Sequence, residues 1–252
     1  MDVYWIEQTE ANVPREFDWL SASEAVRLNS MRIAKRRADW RLGRWTAKHA
    51  VAVYLNAPAH PQALREIEIR PAPSGAPEVV FANKPAAVTI SLSHRAGTAV
   101  CAVALSGTAL GCDLEVIEPR DDTFVTDYFT TEEQTLVAQA SAPDRPRLLA
   151  LVWSGKESAL KALRAGLRLD TRCVIVSPVD ALGRQGREGD GCTTDSDLTV
   201  RSSDGSRSWH PLHVRYTNGQ IFHGWWQHTD NLVRTMVADP PPTPPILLTI
   251  PT

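Results

Sequence analysis

Two pairs of charged residues in this 252-residue sequence have the types and the spacing to do chemistry together. Asp113 and Glu115 lie two apart in an apolar run, and in a strand such side chains face the same way. Glu157 and Lys161 lie four apart in a helical run, so they share one helix face. Adjacent carboxylates repel unless water, a proton or a cation separates them. Asp113 and Glu115 therefore suggest a hard divalent metal such as Mg²⁺, which prefers oxygen ligands.

Both pairs also have an ordinary structural interpretation. Asp113 and Glu115 could mark a solvated strand end. Glu157 and Lys161 could be an exposed ion pair, which contributes only a few tenths of a kcal/mol. From these four residues alone, both interpretations stay open.

A basic stripe lies on an early helical run that begins at a capping box of Ser21 and Glu24 and continues, with breaks, to about Leu55. The members of the stripe recur at helical spacing and are Arg37, Arg41, Arg44 and Lys48. Guanidinium groups on one helix face can hold a phosphate by charge-assisted hydrogen bonds. The alternative is a solvated helix face.

The elements that would position the acidic pair are short strands separated by turns. Alternating or apolar runs predict strands at 64–70, 78–81, 88–94, 98–105 and 110–117. Ser93 and His94 fall at the end of the third of these strands, and Asp113 and Glu115 lie in the last.

The element that would position Glu157 and Lys161 is a helix with apolar residues at a 3.6-residue period, which we expect to pack against a sheet. It follows a shorter helix that begins at Thr130 or Thr131 and stops near Ser141. Further strands are predicted at 172–179, 198–201, 210–216, 220–227 and 232–237, with a hairpin turn at Asn218-Gly219, a polar mobile loop at 183–197 and an extended Pro-rich tail from Pro240.

Composition bounds the class of protein. The hydrophobic content of 43% is enough for a substantial core, and the net charge of −2 gives no global attraction to nucleic acid or to an acidic membrane. No apolar run approaches the roughly 20 residues of a membrane span. The four cysteines are scattered without a C-x-x-C pair, so we expect reduced thiols in a cytoplasmic protein.

Three motifs together resemble the signature set of the 4′-phosphopantetheinyl transferases, specifically the larger, two-lobed, surfactin-synthetase-activating type. They are Gly111-x-Asp113-x-Glu115, Phe129-Thr130-x-x-Glu133 and Trp153-x-x-Lys156-Glu157-x-x-x-Lys161. The similarity extends to earlier segments, so that it spans roughly residues 36 to 170. These segments are Arg41-Leu42-Gly43-Arg44 with Lys48, Gly75-Ala76-Pro77 and Ser91-Leu92-Ser93-His94.

The resemblance implies an α+β fold of two similar lobes in one chain, a pseudo-dimeric arrangement with the active site in the cleft between the lobes. We place the N-terminal lobe at 1–108, the C-terminal lobe at 109–239 and a Pro-rich tail at 240–252. The sequence shows no repeat between the halves that we recognise, so the two lobes are implied by the resemblance alone.

The implied reaction moves the phosphopantetheine arm of coenzyme A to a serine of an acyl or peptidyl carrier protein and releases adenosine 3′,5′-bisphosphate. By resemblance, Asp113, Glu115 and Glu157 would bind Mg²⁺, and Lys161 would neutralise charge on the phosphates. The base could be Glu157 or a metal-bound water, and the sequence does not choose between them.

The resemblance also implies coenzyme A contacts. These would come from Ser93, His94, Arg41, Arg44 and Lys48. A Ser-His pair could instead suggest a hydrolase, but no G-x-S-x-G motif accompanies it.

Two positions depart from the family pattern. Ala76 stands where a basic residue is usual, and Arg95 stands where a small residue is frequent. Both affect the details of coenzyme A binding. We expect a monomer whose partner is an acidic carrier protein, with the helix at 131–141 a candidate docking surface, and we expect neither nucleic acid nor membrane as a partner.

Two other functions are compatible with parts of the sequence. The first is a catalytically silent module that binds coenzyme A or a carrier protein, although all three acids are present. The second is a nucleic-acid-binding protein that uses the basic stripe, which the near-neutral net charge disfavours.

Overall fold

The computed structural model describes residues 1–178 and 208–250, and the predicted α+β class is confirmed. The α-helices are α1 (Ala22–Ser30), α2 (Ala34–Tyr54), α3 (Pro61–Leu64), α4 (Asp122–Tyr128), α5 (Thr131–Gln139) and α6 (Arg145–Ala162). The strands are β1 (Tyr4–Thr9), β2 (Ile67–Pro71), β3 (Pro77–Phe81), β4 (Lys84–Pro85), β5 (Val88–Arg95), β6 (Thr98–Leu105), β7 (Ala109–Val116), β8 (Val174–Pro178), β9 (His210–Tyr216), β10 (Ile221–Thr229), β11 (Leu232–Asp239) and β12 (Ile246–Leu247). The strand predicted at 198–201, the loop predicted at 183–197 and Cys192 lie outside the described residues.

Local capping residues explain where the helices differ from the prediction. Asp121 accepts a hydrogen bond from the Phe124 amide and starts α4, which we did not predict. Pro61 lies in the first turn of α3, so the chain is helical up to Leu64, and β2 begins only at Ile67 instead of Leu64.

The sheets divide the chain into two halves. A four-stranded sheet with the order β12-β1-β6-β5 and a three-stranded sheet with the order β2-β3-β4 are built from residues before 106, apart from β12. A five-stranded sheet with the order β7-β11-β10-β9-β8 is built from residues after 108. The predicted boundary at residues 108 and 109 falls in the turn between β6 and β7.

The two halves share one plan. Each begins with a strand, β1 or β7, continues with a helix pair, α1–α2 or α5–α6, and ends with an antiparallel hairpin, β5–β6 or β10–β11. In both halves the first strand pairs with the second strand of that hairpin. This correspondence supports two similar lobes.

A buried ion pair fixes the helix pair of the first half. The Glu24 carboxylate, in the capping box at the start of α1, also accepts the Ile69 amide of β2 at 3.2 Å and lies 2.5 Å from Lys48 Nζ. Lys48 is fully buried and donates to the carbonyls of Trp19 and Leu64 at 2.9 and 3.1 Å. The pair therefore joins α1, α2 and β2.

The second half contains an equivalent buried ion pair. Glu133, in the capping box at the start of α5, accepts the Val176 amide of β8 at 2.8 Å and lies 2.7 Å from Lys156 Nζ. Lys156 is fully buried and donates to the carbonyls of Thr171 and Val174 at 3.0 and 2.6 Å. These contacts show that Glu133 and Lys156, two residues of the signature motifs, have a structural role.

The halves meet through a shared apolar cluster between β1 and β6 on one side and β7 and β11 on the other. Its buried members are Val3, Trp5, Val100, Ala102, Ala104, Leu110, Cys112, Met236 and Ala238. The Ser91 hydroxyl adds a polar link by accepting the Cys112 amide at 2.9 Å.

The C-terminal segment crosses from one half to the other. Trp225 of β10 donates to the Pro242 carbonyl at 3.0 Å, and Ile246 and Leu247 pair in parallel with β1. The segment that we predicted as an extended tail thus adds a short strand to the first sheet. Among the described residues, no helix is long and apolar enough to cross a membrane.

Candidate active site

A cavity of about 680 Å³ lies between the two halves, within the size range of small-molecule sites. It is lined by β5 from Thr89 to Leu92, by the loop from Ser74 to Pro77, and by the end of α6 with the segment after it. The basic residues that line it are Arg44, Arg70, Lys161, Arg164 and Arg168. This concentration of cations suits an anionic ligand.

Gly111 brings α6 close to the acidic strand. A Cβ atom at position 111 would lie 1.8 Å from the Ser158 carbonyl oxygen, so only glycine lets the helix backbone pass this near to β7. Ser154 and Ser158 fix the register of the helix by hydrogen bonds of 2.8 and 2.7 Å to the Thr235 hydroxyl on β11. Glu157 and Lys161 are thereby directed toward β7.

Asp113 is the centre of the polar contacts at this site. Its Oδ1 atom accepts hydrogen bonds from Lys161 Nζ and from the Ser93 hydroxyl, both at 2.7 Å. Its Oδ2 atom is buried and has no hydrogen-bond partner in the part of the chain that the structure describes. Burial opposes protonation of Lys161, but Asp113, together with Cys112 and Glu157, outweighs this effect and raises the pKa of Lys161.

Glu115 faces the same side of β7 and is held by two arginines. Its Oε2 atom lies 3.6 Å from Arg95 Nε and 3.4 Å from an Arg120 nitrogen. Burial and then the neighbouring Asp113 raise the pKa of Glu115, while the two arginines oppose that shift.

Glu157 belongs to the same cluster of charges. It is half-buried, and burial followed by the proximity of Asp113 raises its pKa, whereas Lys161 lowers it. The charge of Glu115 also raises the pKa of Glu157, so all three acids influence one another.

The metal set predicted from the sequence is not arranged as a ready-made cage. Across residues 1–178 and 208–250, no three His, Cys, Asp or Glu side chains form a group that could hold a metal ion. Asp113 Oδ2 nevertheless fits a cation, because a buried carboxylate oxygen without a partner is unfavourable unless a positive charge meets it. The donors Asp113, Glu115 and Glu157 supply oxygen only, which is the chemistry that Mg²⁺ selects.

The basic stripe is mostly used inside the N-terminal half, contrary to its predicted role. Arg37 donates to the Leu28 and Met31 carbonyls at the end of α1, and Arg41 donates to the Pro14 carbonyl. We had predicted that Lys48 contacts coenzyme A. In the structure it lies in the buried pair with Glu24 and does not line the cavity.

Arg44 is the member of the stripe that lines the cavity. Its Nε atom is buried without a hydrogen-bond partner among the described residues, and it lies 3.9 Å from Glu24. Burial lowers the pKa of Arg44 and Glu24 opposes the change. Arg44 therefore brings a positive charge to the cavity lining, which suits an anionic ligand.

Ser93 and His94 follow the cavity floor at the end of β5. Ser93 orients Asp113, as described above, and His94 lies beside Gly43 of α2. Burial lowers the pKa of His94, and Asp39 opposes the shift. The sequence prediction placed both residues on coenzyme A, and this role stays a prediction.

Three arginines of the cavity were missed by the sequence analysis. Arg70 ends β2, and Arg164 and Arg168 follow α6. The available signal was spacing, because Arg164 and Arg168 follow Lys161 at intervals of three and four residues. The helix, however, ends at Ala162, so helical spacing does not predict where these two side chains lie.

Comparison with known proteins matches the second half of the chain to a family model. Residues 109–210, which contain the acids of β7 and all of α6, match the family model ACPS, described as the 4′-phosphopantetheinyl transferase superfamily. This match assigns residues 109–210, about two fifths of the chain, to the 4′-phosphopantetheinyl transferase superfamily. The predicted class of enzyme is thereby confirmed, while the two-lobed, surfactin-synthetase-activating type stays a prediction.

One solved structure similar to this chain is the crystal structure of Helicobacter pylori holo-[acyl-carrier-protein] synthase in complex with coenzyme A. It shares 20% sequence identity over 41% of this chain and 99% of that chain, with a TM-score of 0.33. No curated protein matches the sequence.

Proposed function

We propose that this chain transfers the 4′-phosphopantetheine arm of coenzyme A to a serine of an acyl or peptidyl carrier protein, in a Mg²⁺-dependent reaction that releases adenosine 3′,5′-bisphosphate. One observation carries the proposal. Lys161 lines the cation-lined cavity and donates to Asp113, whose buried Oδ2 atom lacks a partner among the described residues. Phosphates and a metal ion would meet there.

The residues that would hold Mg²⁺ are Asp113, Glu115 and Glu157. When bound, the ion would supply Lewis-acid neutralisation of the pyrophosphate charge. Ser93 keeps Asp113 oriented through its 2.7 Å hydrogen bond.

Lys161 is the proposed catalytic cation. Its ammonium already lies at the boundary between the acids and the cavity, and Asp113 keeps it protonated. A fixed positive charge beside the departing bisphosphate stabilises the charge that develops in phosphoryl transfer. Arg44 and His94 would position the rest of coenzyme A.

The transfer step exchanges one phosphorus–oxygen bond for another. The carrier serine oxygen bonds to the β-phosphorus of coenzyme A, and the bond from that phosphorus to the oxygen of the adenosine bisphosphate breaks. The serine proton goes to Glu157 or to a water molecule, and the bond pair leaves with the bisphosphate. Glu157 is half-buried and faces Asp113, so it can accept a proton within the cleft.

Intact-mass spectrometry tests this function. The purified chain, coenzyme A and Mg²⁺ are incubated with a panel of apo carriers from fatty-acid, polyketide, nonribosomal-peptide and reductase systems. We expect at least one carrier to become about 340 Da heavier, the mass of the transferred arm. No shift with any carrier would overturn the proposal, and tight coenzyme A binding without turnover would instead favour a silent binding module.

Two variants connect the activity to the acids. Asp113→Ala and Glu157→Gln should abolish transfer and leave the circular dichroism spectrum unchanged. Near wild-type rates with Mg²⁺ in either variant would refute the metal assignment.

A further inference from the structure

The segment that follows α6 holds an arginine in an unfavourable backbone conformation. Arg164 has φ +53°, in the left-handed region that favours glycine. The Arg164 amide donates to the Lys161 carbonyl and the Ala165 amide to the Leu160 carbonyl, which is the hydrogen-bond pattern of a Schellman motif. Glycine is the usual residue at that position, so Arg164 adopts this conformation at an energetic cost.

Arg164 lines the same cavity as Lys161. It follows Lys161 by three residues, whereas Glu157 precedes Lys161 by four. Arg70 lines the same cavity and is the last residue but one of β2, the strand that leads into the loop from Ser74 to Pro77.

Arg168 ties this segment to the other half of the molecule. Its Nη2 atom donates to the Ser74 carbonyl at 2.6 Å, and its Nε atom donates to the Ala165 carbonyl at 3.1 Å. The hydrogen bond to Ser74 holds the segment after α6 against the loop that carries Ala76. That loop has no basic side chain of its own from Ser74 to Pro77.

We propose that Arg164, positioned by Arg168, binds the nucleotide end of coenzyme A and is a specificity residue for it. The inference rests on the proposed function. A guanidinium can bind a phosphate through two hydrogen bonds or stack on the planar adenine, and both groups belong to the same end of the ligand. The acids and Lys161 would then hold the pyrophosphate while Arg164 holds the nucleotide.

The variant Arg164→Gly separates binding from folding. Glycine removes the side chain and also relieves the left-handed backbone, so we expect the melting temperature to rise by about 2–4 °C. The Kd for adenosine 3′,5′-bisphosphate, measured by isothermal titration, should increase about tenfold, as expected when one charge-assisted contact is lost. The Kd for 4′-phosphopantetheine, which lacks the nucleotide, should not change.

A matched control is Asp230→Gly. Asp230 also has positive φ, +53°, but lies in the exposed turn between β10 and β11. This variant should raise the melting temperature in the same way and leave the bisphosphate Kd unchanged. A conservative variant, Arg164→Lys, should recover part of the affinity.

Dephospho-coenzyme A shows whether Arg164 contacts the 3′-phosphate or the adenosine of coenzyme A. A loss of affinity seen with coenzyme A but not with the dephospho form assigns Arg164 to the 3′-phosphate, and an equal loss with both assigns it to the adenosine. An unchanged Kd for the bisphosphate in Arg164→Gly, or an equal loss for 4′-phosphopantetheine, would overturn the inference. In transfer assays the KM for coenzyme A should rise about tenfold with little change in kcat.

The two proposals can fail separately. If the wild-type chain transfers the arm and Arg164→Gly has an unaltered KM, the role of Arg164 is wrong and the proposed function stands. If no carrier is modified but the bisphosphate binds and the variant weakens it, the proposed function is wrong and the binding site stands.

Discussion

Lys156 occupies the place in the second half of the molecule that Lys48 occupies in the first. Each ammonium is fully buried, each pairs with a helix-capping glutamate, and each donates to two backbone carbonyls. Each also lies over an aromatic ring, Trp19 or Phe129. The lysine of the signature motif before Glu157 is therefore a structural residue.

Removal of Lys156 should destabilise the fold without removing a catalytic group. In Lys156→Ala the Glu133 charge stays buried without its partner, and we expect the free energy of unfolding to fall by about 3–5 kcal/mol. Urea denaturation followed by circular dichroism measures this loss. The exposed Lys35→Ala, whose partner Asp39 is one helical turn away, should change stability by less than about 1 kcal/mol. Equal losses in the two variants would contradict the role of Lys156.

The internal duplication was readable from the sequence, although our sequence analysis did not recognise it. Trp45-Thr46-Ala47-Lys48 on α2 corresponds to Trp153-Ser154-Gly155-Lys156 on α6, and a capping box with a glutamate precedes each at nearly the same distance. The apolar residues between these anchors differ, because a core accepts many apolar side chains of suitable volume. The recognisable repeat is therefore limited to these short segments and to the glutamate that precedes each of them.

The positions of the basic residues could not be predicted in the same way. Helical spacing placed Arg37, Arg41, Arg44 and Lys48 on one face, which α2 confirms, but the partner of each cation comes from a distant segment. Carbonyls of Leu28 and Pro14 accept from Arg37 and Arg41, and such partners depend on chain paths that periodicity does not encode. Arg164 was missed for the related reason that a left-handed residue redirects the chain after α6.

Gly111→Ala tests the close approach of α6 to β7. The added Cβ would meet the Ser158 carbonyl oxygen at 1.8 Å, which is backbone and cannot rotate away. We expect a loss of about 1–3 kcal/mol in the free energy of unfolding, or more, and a large fall in kcat as Lys161 moves from Asp113. Gly107→Ala, at a positive-φ turn with open space around it, should lose only about 1 kcal/mol and keep its kcat. An unchanged kcat in Gly111→Ala would contradict the positioning role.

Arg95→Ala should strengthen the response to Mg²⁺. Arg95 stands where the family often has a small residue, and its guanidinium lies 3.6 Å from the Glu115 oxygen that a metal would use. Without this competing cation, we expect half-maximal transfer at a several-fold lower Mg²⁺ concentration, because a nearby positive charge opposes binding of another. Activity measured across a Mg²⁺ titration reports the change. Arg145→Ala, which removes an ion pair with the exposed Asp122 and none with Glu115, is the control, and an unchanged midpoint in Arg95→Ala would contradict the competition.

His49 should make the stability of the fold depend on pH near neutrality. It is buried on α2, one residue after Lys48, and its Nδ1 atom donates to the Trp45 carbonyl at 2.9 Å. Burial lowers the pKa of His49 below its ordinary value, and the hydrogen bond to Trp45 opposes the shift. The unfolded chain therefore binds the His49 proton more tightly than the folded chain. The contribution of neutral His49 to the free energy of unfolding is complete above about pH 6.5, and it is lost as the pH falls through the folded-state pKa. Urea denaturation at pH 7.5 and 5.5 should show a smaller loss for His49→Gln than for the wild type. An NMR titration of the His49 ring with a midpoint above 6.5 would contradict this explanation.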